Sequence, residues 1–249
     1  MLFFLRKIRN SLLSKKQYTT YLIYAIGEIL LVVIGILIAV QIDDWQKDVF
    51  LRKQEKQYLT EIKSNLQDDI GLCNYTSSFN DNKTKVILEI LALFKLEDED
   101  QITAQMLPHM DLLFAFATLS QNRVAFDNMN NAQSIAIIKN VDLRSKLSAY
   151  YSKSFVSASW TIHFTRKLND QLTPLIMSQD MTKQLFNIDV PIERPSDHIP
   201  YYRNPYVIST LVNTVKNISF QTIDANQQEE EARDLINSID SHLTDWCNH

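Results

Sequence analysis

From Tyr21 to Ile42 the chain reads YLIYAIGEILLVVIGILIAVQI, an apolar run broken by one charge, Glu28. A helix of that length rises about 33 Å, the depth of a hydrocarbon core. The pattern predicts a transmembrane helix over residues 18–42. After it, apolar positions recur at helical spacing: Leu59, Ile62, Leu66, Ile70 and Cys73, then Val86, Ile87, Ile90, Leu91 and Phe94. The helix leaving the membrane is expected to reach about residue 95, and the lapse at Asn74–Lys83 marks where it would break.

Residues 103–119 carry a stripe of Met106, Met110, Leu113 and Phe114, a core pattern rather than a cofactor box. A short helix is predicted over Gln121–Asn130, ended by the polar knot Asn128–Asn131. Asp142 reads as the N-cap of a long helix with Leu143, Leu147, Tyr151, Phe155, Ile162, Leu172 and Ile176 on one face. Pro174 should bend or stop it. A last helix starts near Val207, with Ala232, Leu235, Ile239, Leu243 and Trp246 as its core stripe and Glu229–Arg233 as a supporting pair.

Residues 187–205 hold Pro191, Pro195, Pro200 and Pro205 and read as an extended loop. Its Tyr201, Tyr202 and Arg203, with Tyr206 just beyond, form a candidate recognition loop; a strap packed over the helices is the other reading. Long helices joined by short links predict an all-α, up-and-down helical bundle following the transmembrane helix.

Charge orients this arrangement. Arg6, Lys7, Arg9, Lys15 and Lys16 precede the span and no acidic residue comes before Glu28. By the positive-inside rule residues 1–17 form a cytoplasmic basic segment and residues 43–249 an exported domain. The apolar run exceeds a signal-peptide core and no small-x-small site follows, which predicts an uncleaved signal anchor. Tyr18 and Tyr21 at one edge and Trp45 at the other are the expected interface anchors. In MLFFLRKIRNSLL, Leu5, Ile8 and Leu12 share a face opposite Arg6 and Arg9, the pattern of an interfacial helix; a plain basic tail is the alternative.

Glu28 lies at about one-third depth, where an ionisable group should face protein or water or stay protonated. Gly27, and the small pair Gly35 and Ala39, let a second helix approach closely. With one span, that helix must come from another copy or another membrane protein. An inter-helix hydrogen bond, a carboxyl with only a packing role and an ion path all remain open for Glu28.

Beyond the span the chain carries 20 Lys and Arg against 28 Asp and Glu, a net charge of −8. That balance argues against nucleic acid and against a second grip on anionic lipid. Gly71 is the sole glycine after residue 42, which disfavours phosphate loops, dinucleotide folds and tight hairpins. The acidic run Glu97–Asp100 lacks the alternating oxygens and central glycine of a calcium loop and reads as a solvated turn. Cys73 and Cys247 can pair in an oxidising compartment or stand as two lone thiols. The five histidines are dispersed, and HExxH, CxxC and GxSxG patterns are missing. The expectation is a non-enzymatic protein without cofactor or metal.

LFFLRKIRNSLL (2–13) followed by YLIYAIGEILLVVIGILIAVQIDDW (21–45) resembles the N-terminal signature of a Bacteroidota family defined by domain of unknown function 6090. NMNNAQSIAIIKNVDLRSKLSAYY (128–151) continues the likeness more weakly. The family usually has an Asn pair before the tryptophan, where this chain has Asp43 and Asp44. The resemblance implies a bacterial inner-membrane location, one N-terminal span and a helical periplasmic domain; it implies no activity. The reading as a whole is an anchored scaffold or interaction protein, with a periplasmic ligand sensor or accessory subunit of a signalling or transport complex as the alternative.

Overall fold

The computed structural model describes residues 18–132, 134–176, 187 and 199–247. Among them every regular element is helical: α1 (Tyr18–Leu93), α2 (Glu99–Met106), α3 (Met110–Phe114), α4 (Val124–Asn131), α5 (Val141–Tyr151), α6 (Val156–Ile176) and α7 (Pro205–Cys247), with short 3-10 turns between some of them. The chain divides into two compact units, Met1–Gln57 and Tyr58–His249.

In the first unit, α1 exposes every large apolar side chain from Leu22 to Ile42. This stretch is long and apolar enough to cross a membrane. Residues 43–53 are exposed too, with charges of both signs including the Asp43–Lys47 pair at 2.5 Å.

The second unit is built on a seam of alternating four- and three-residue steps. On α1 the buried seam positions are Leu59, Ile62, Leu66, Asp69, Cys73, Thr76, Asn80, Lys83, Ile87 and Ile90, with Val86 also buried beside them. On α7 they run Val207, Leu211, Thr214, Ile218, Gln221, Ala225, Gln228, Ala232, Leu235 and Ile239. This 3.5-residue average keeps one side of each helix against its neighbour. Lys63 meets Asp240 at 2.6 Å and Asn80 meets Thr222 at 3.2 Å, so α7 runs antiparallel to α1. Gln171 meets Thr210 and Ser157 meets Asp224, so α6 is antiparallel to α7. Tyr150 of α5 reaches Asp69 and Thr165 of α6 reaches Lys83, which places α5 and α6 in succession alongside α1.

Apolar clusters occupy both ends. One gathers Leu59, Ile62, Leu66, Phe126, Leu147 and Leu235; the other gathers Ile87, Ile90, Met106, Leu168, Tyr201 and Leu211. Between them the seam turns polar, with only Cys73, Leu119, Ala158 and Ala225 forming a small apolar group.

Several expectations change. α1 does not break at Asn74–Lys83, because Thr76, Asn80 and Lys83 continue the buried stripe with polar side chains. Asn140, not Asp142, caps α5: its side chain accepts from the Leu143 N–H at 3.0 Å. The long helix predicted from there is interrupted at residues 152–155, between α5 and α6. The acidic run is a turn only in its first half: Glu97 and Asp98 are exposed in the bend after α1, while Asp98 Oδ1 accepts from the N–H groups of Asp100 and Gln101 at 3.1 Å and starts α2. Met106 and Leu113 are buried as predicted, but helix ends at Phe114, where Ala115 turns extended, and residues 115–123 form no helix or strand. Gly71 sits mid-helix in α1 and serves no turn. The Glu229–Arg233 pair is present at 2.6 Å.

Cys73 is a free, buried thiol. The register sets Glu229 beside it, and Cys247 lies eighteen residues further along α7, about 27 Å away. A bridge needs Cα atoms within about 7 Å, so this geometry rules the pair out. Burial, with Asp69 and Glu229 adding to it, pushes the Cys73 thiol up to about 12. In a Cys247→Ser chain, thiol labelling of the folded protein is therefore expected to be at least about a hundredfold slower than in urea.

Candidate functional site

Of the four residues predicted to meet a second helix, three share one side of α1. Glu28, Gly35 and Ala39 fall within about 40° of one another around the helix, and Gly27 is about 100° round from Glu28. A Cβ placed on Gly27 or Gly35 meets nothing within 4 Å. Beside Glu28 lies a shallow open hollow lined by Ala25, Glu28, Ile29, Val32 and Val33. Trp45 is exposed. The side chains of Tyr18 and Tyr21 lie outside the described residues, as do the interfacial segment 1–17 and most of the loop 187–198.

The candidate recognition loop is corrected in part. Tyr201 is fully buried and Tyr202 nearly so. The Tyr201 ring packs edge-on to Phe94 at 5.8 Å, with its hydroxyl 2.8 Å from Thr103 Oγ1. The Tyr202 hydroxyl donates to the Glu97 carbonyl at 3.0 Å. Both tyrosines pin the end of α1 and the start of α2, the strap reading. Arg203 lies over the Tyr202 ring and 3.5 Å from Glu97, and Tyr206 is exposed.

The sequence reading missed the polar middle of the second unit. There the segment 115–123, extended up to Asn122, lies in the groove between α1 and α7. Its side chains alternate: Ala117 and Leu119 are buried, while Phe116, Thr118 and Ser120 face out. Its backbone is held by side chains instead of a neighbouring strand. Lys83 Nζ donates to the Ala115 carbonyl at 2.5 Å, and Thr76 Oγ1 to that of Thr118 at 3.1 Å. From α7, Gln221 Nε2 donates to Ala117 O and Gln228 Nε2 to Ser120 O, each at 3.0 Å. At the far end Asp69 Oδ1 accepts from the Asn122 N–H at 2.6 Å. The lengths agree: fourteen residues of helix from Lys83 back to Asp69 span about 21 Å, and seven extended residues from Ala115 to Asn122 about 23 Å.

These holders are themselves fixed. Asn80 Nδ2 donates to Gln221 Oε1 at 3.2 Å. The Tyr150 hydroxyl donates to Asp69 Oδ2 at 2.8 Å and accepts from Gln228 Nε2 at 3.3 Å. Lys83 Nζ also donates to Thr165 Oγ1 at 3.0 Å. Burial lowers the Lys83 amine to about 7. Burial also raises the Asp69 carboxyl, against the opposing bonds from Asn122 and Tyr150. Burial and the neighbouring Asp69 keep the Tyr150 hydroxyl protonated far above its ordinary range. The arrangement grips an extended backbone with a cation-forming group at its first carbonyl and a carboxylate at its last amide.

A signal for this layer is present in the sequence. Asp69, Cys73, Thr76, Asn80 and Lys83 keep the seam's spacing on α1, as Gln221 and Gln228 do on α7. Among the described residues no group of three or more His, Cys, Asp or Glu side chains is placed to hold a metal ion. His163 is exposed against the rings of Trp160 and Phe164. No protein-family model, curated protein or solved structure matches the chain.

Proposed function

We propose that this protein is a single-pass, membrane-anchored scaffold that assembles with another membrane helix, either a second copy or a partner protein. The observation that carries the reading is the apolar stretch of α1, exposed from Leu22 to Ile42 and carrying a single charge, Glu28. A buried carboxyl in lipid gains most by meeting a hydrogen-bonding partner, and Gly35 and Ala39 on the same face permit close approach. The cations before the span favour a cytoplasmic N-terminus and a periplasmic second unit in a bacterial inner membrane. The resemblance to the family of domain 6090 supports the same placement. In the second unit, polar side chains spent on the chain's own backbone fit a rigid binding body better than a reaction centre.

Full-length protein in mild detergent tests the assembly by size analysis and cross-linking. Gly35→Ile and Glu28→Gln are each expected to weaken association about tenfold or more, through steric separation and loss of the hydrogen bond. Wild-type and variant chains of the same monomeric size overturn the interface. A sensor is the second reading, favoured by the unbroken backbone of α1 from Tyr18 to Leu93. It requires thermal stabilisation by a small molecule in a metabolite screen.

A further inference from the structure

We propose that Lys83 is a proton-operated latch on the groove segment: as a neutral amine it seats residues 115–123 between α1 and α7, and as an ammonium it releases them. The geometry gives the amine two acceptors, the Ala115 carbonyl and Thr165 Oγ1, and it has two N–H groups to give them. An ammonium brings a third donor and a full charge to a side chain with no exposure to water. The Ala115 bond sits where α3 ends and the segment begins, so its loss frees the segment at its entry.

Among the described residues no counter-charge faces the amine. One turn from Lys83 along α1 the buried residues are Asn80 and Ile87, and one turn either side of Thr165 along α6 they are Thr161 and Leu168. At this level α7 buries Thr214, Ile218 and Gln221, and α3 buries Leu113. The charged residues at this level, Asp81 and Lys85 on α1, Asp111 on α3, Arg166 on α6 and Lys216 on α7, are all exposed. His109, half-buried ahead of α3, contributes nothing to the shift, whose cause is burial alone. Asp69, the nearest buried carboxyl along α1, is about 21 Å away.

The direction follows from linkage. The seated amine titrates at about 7 and the released one at the ordinary 10.5, so the released state binds more protons between those values. Seating is strongest above about pH 10.5, weakens as the pH falls, and levels off below about 7. Release is therefore expected to rise up to about tenfold for each unit of pH lost across that window.

Amide hydrogen exchange of the full-length chain between pH 6 and 9.5, corrected for intrinsic rates, reads this at Ala117 and Leu119, whose side chains are buried next to the Ala115 bond. Protection at these amides should climb with pH above about 7 and stay flat below it. In Lys83→Met, whose side chain is of similar length and cannot titrate, the climb should vanish, while the Asn122 amide, held by Asp69 at the far end, serves as the internal control. Equal slopes in both chains overturn the latch. Should Lys83→Met not fold, the wild-type curve decides: protection independent of pH over the whole range overturns it as well.

Discussion

Asp69→Ala is expected to cost about 2–5 kcal/mol of stability in urea unfolding, since each buried group left unpaired costs about 1–3 kcal/mol. The carboxylate receives the Asn122 N–H at 2.6 Å and the Tyr150 hydroxyl at 2.8 Å, and is 1% exposed. Alanine leaves both donors inside the fold with nothing to bond. Tyr150 also accepts from Gln228, which holds the Ser120 carbonyl, so the loss spreads to α7. Asp69→Asn keeps an acceptor for the Asn122 amide and should cost about 1 kcal/mol, the worth of one ordinary hydrogen bond. A cost below about 0.5 kcal/mol for the alanine variant would mean that water replaces the carboxylate and that the groove is open at this end.

Tyr201→Ala is expected to cost about 3–5 kcal/mol, the range for removing a buried aromatic side chain. The ring is wholly enclosed, packed on Phe94 and bonded to Thr103. Tyr206→Ala, five residues on, should change stability by less than about 0.5 kcal/mol, because that side chain is exposed. Thermal or urea unfolding of the two variants separates a core role from a recognition role within one short stretch. Similar small effects in both would return Tyr201 to the recognition reading.

The helical content of the chain was legible because apolar residues repeat at helical spacing over long stretches. Leu59, Ile62 and Leu66 on α1, and Ala232, Leu235 and Ile239 on α7, are buried where their spacing places them. The rule failed where the buried stripe is polar. Between Asp69 and Lys83 a search for apolar periodicity sees a gap, although the spacing of the seam never lapses. Hydrophobic patterning registers a residue's partner only when that partner is also apolar. Here the partners are carbonyls of a distant segment, and nothing in residues 115–123 announces that they lie extended in a groove. The cap at Asn140 was missed for a different reason: Asp142, two residues later, is an equally good capping type, and only the backbone distinguishes them. Tyr201 and Tyr202 were ambiguous because a tyrosine serves a core as readily as a surface when its hydroxyl finds an oxygen. The face of Glu28, Gly35 and Ala39 was legible as geometry, since helical spacing alone decides which residues share a side.

The grip on residues 115–123 also sets an order of events during synthesis. A ribosome delivers α1 and the groove segment well before Gln221 and Gln228 exist. Until α7 emerges, the carbonyls of Ala117 and Ser120 have only water, and one wall of the groove is missing. Contacts between residues more than a hundred apart form late, because closing so long a loop carries a large entropic cost. The nascent chain therefore passes through a stage with its polar seam half-matched and its apolar end clusters incomplete, the condition in which chains most need protection from aggregation.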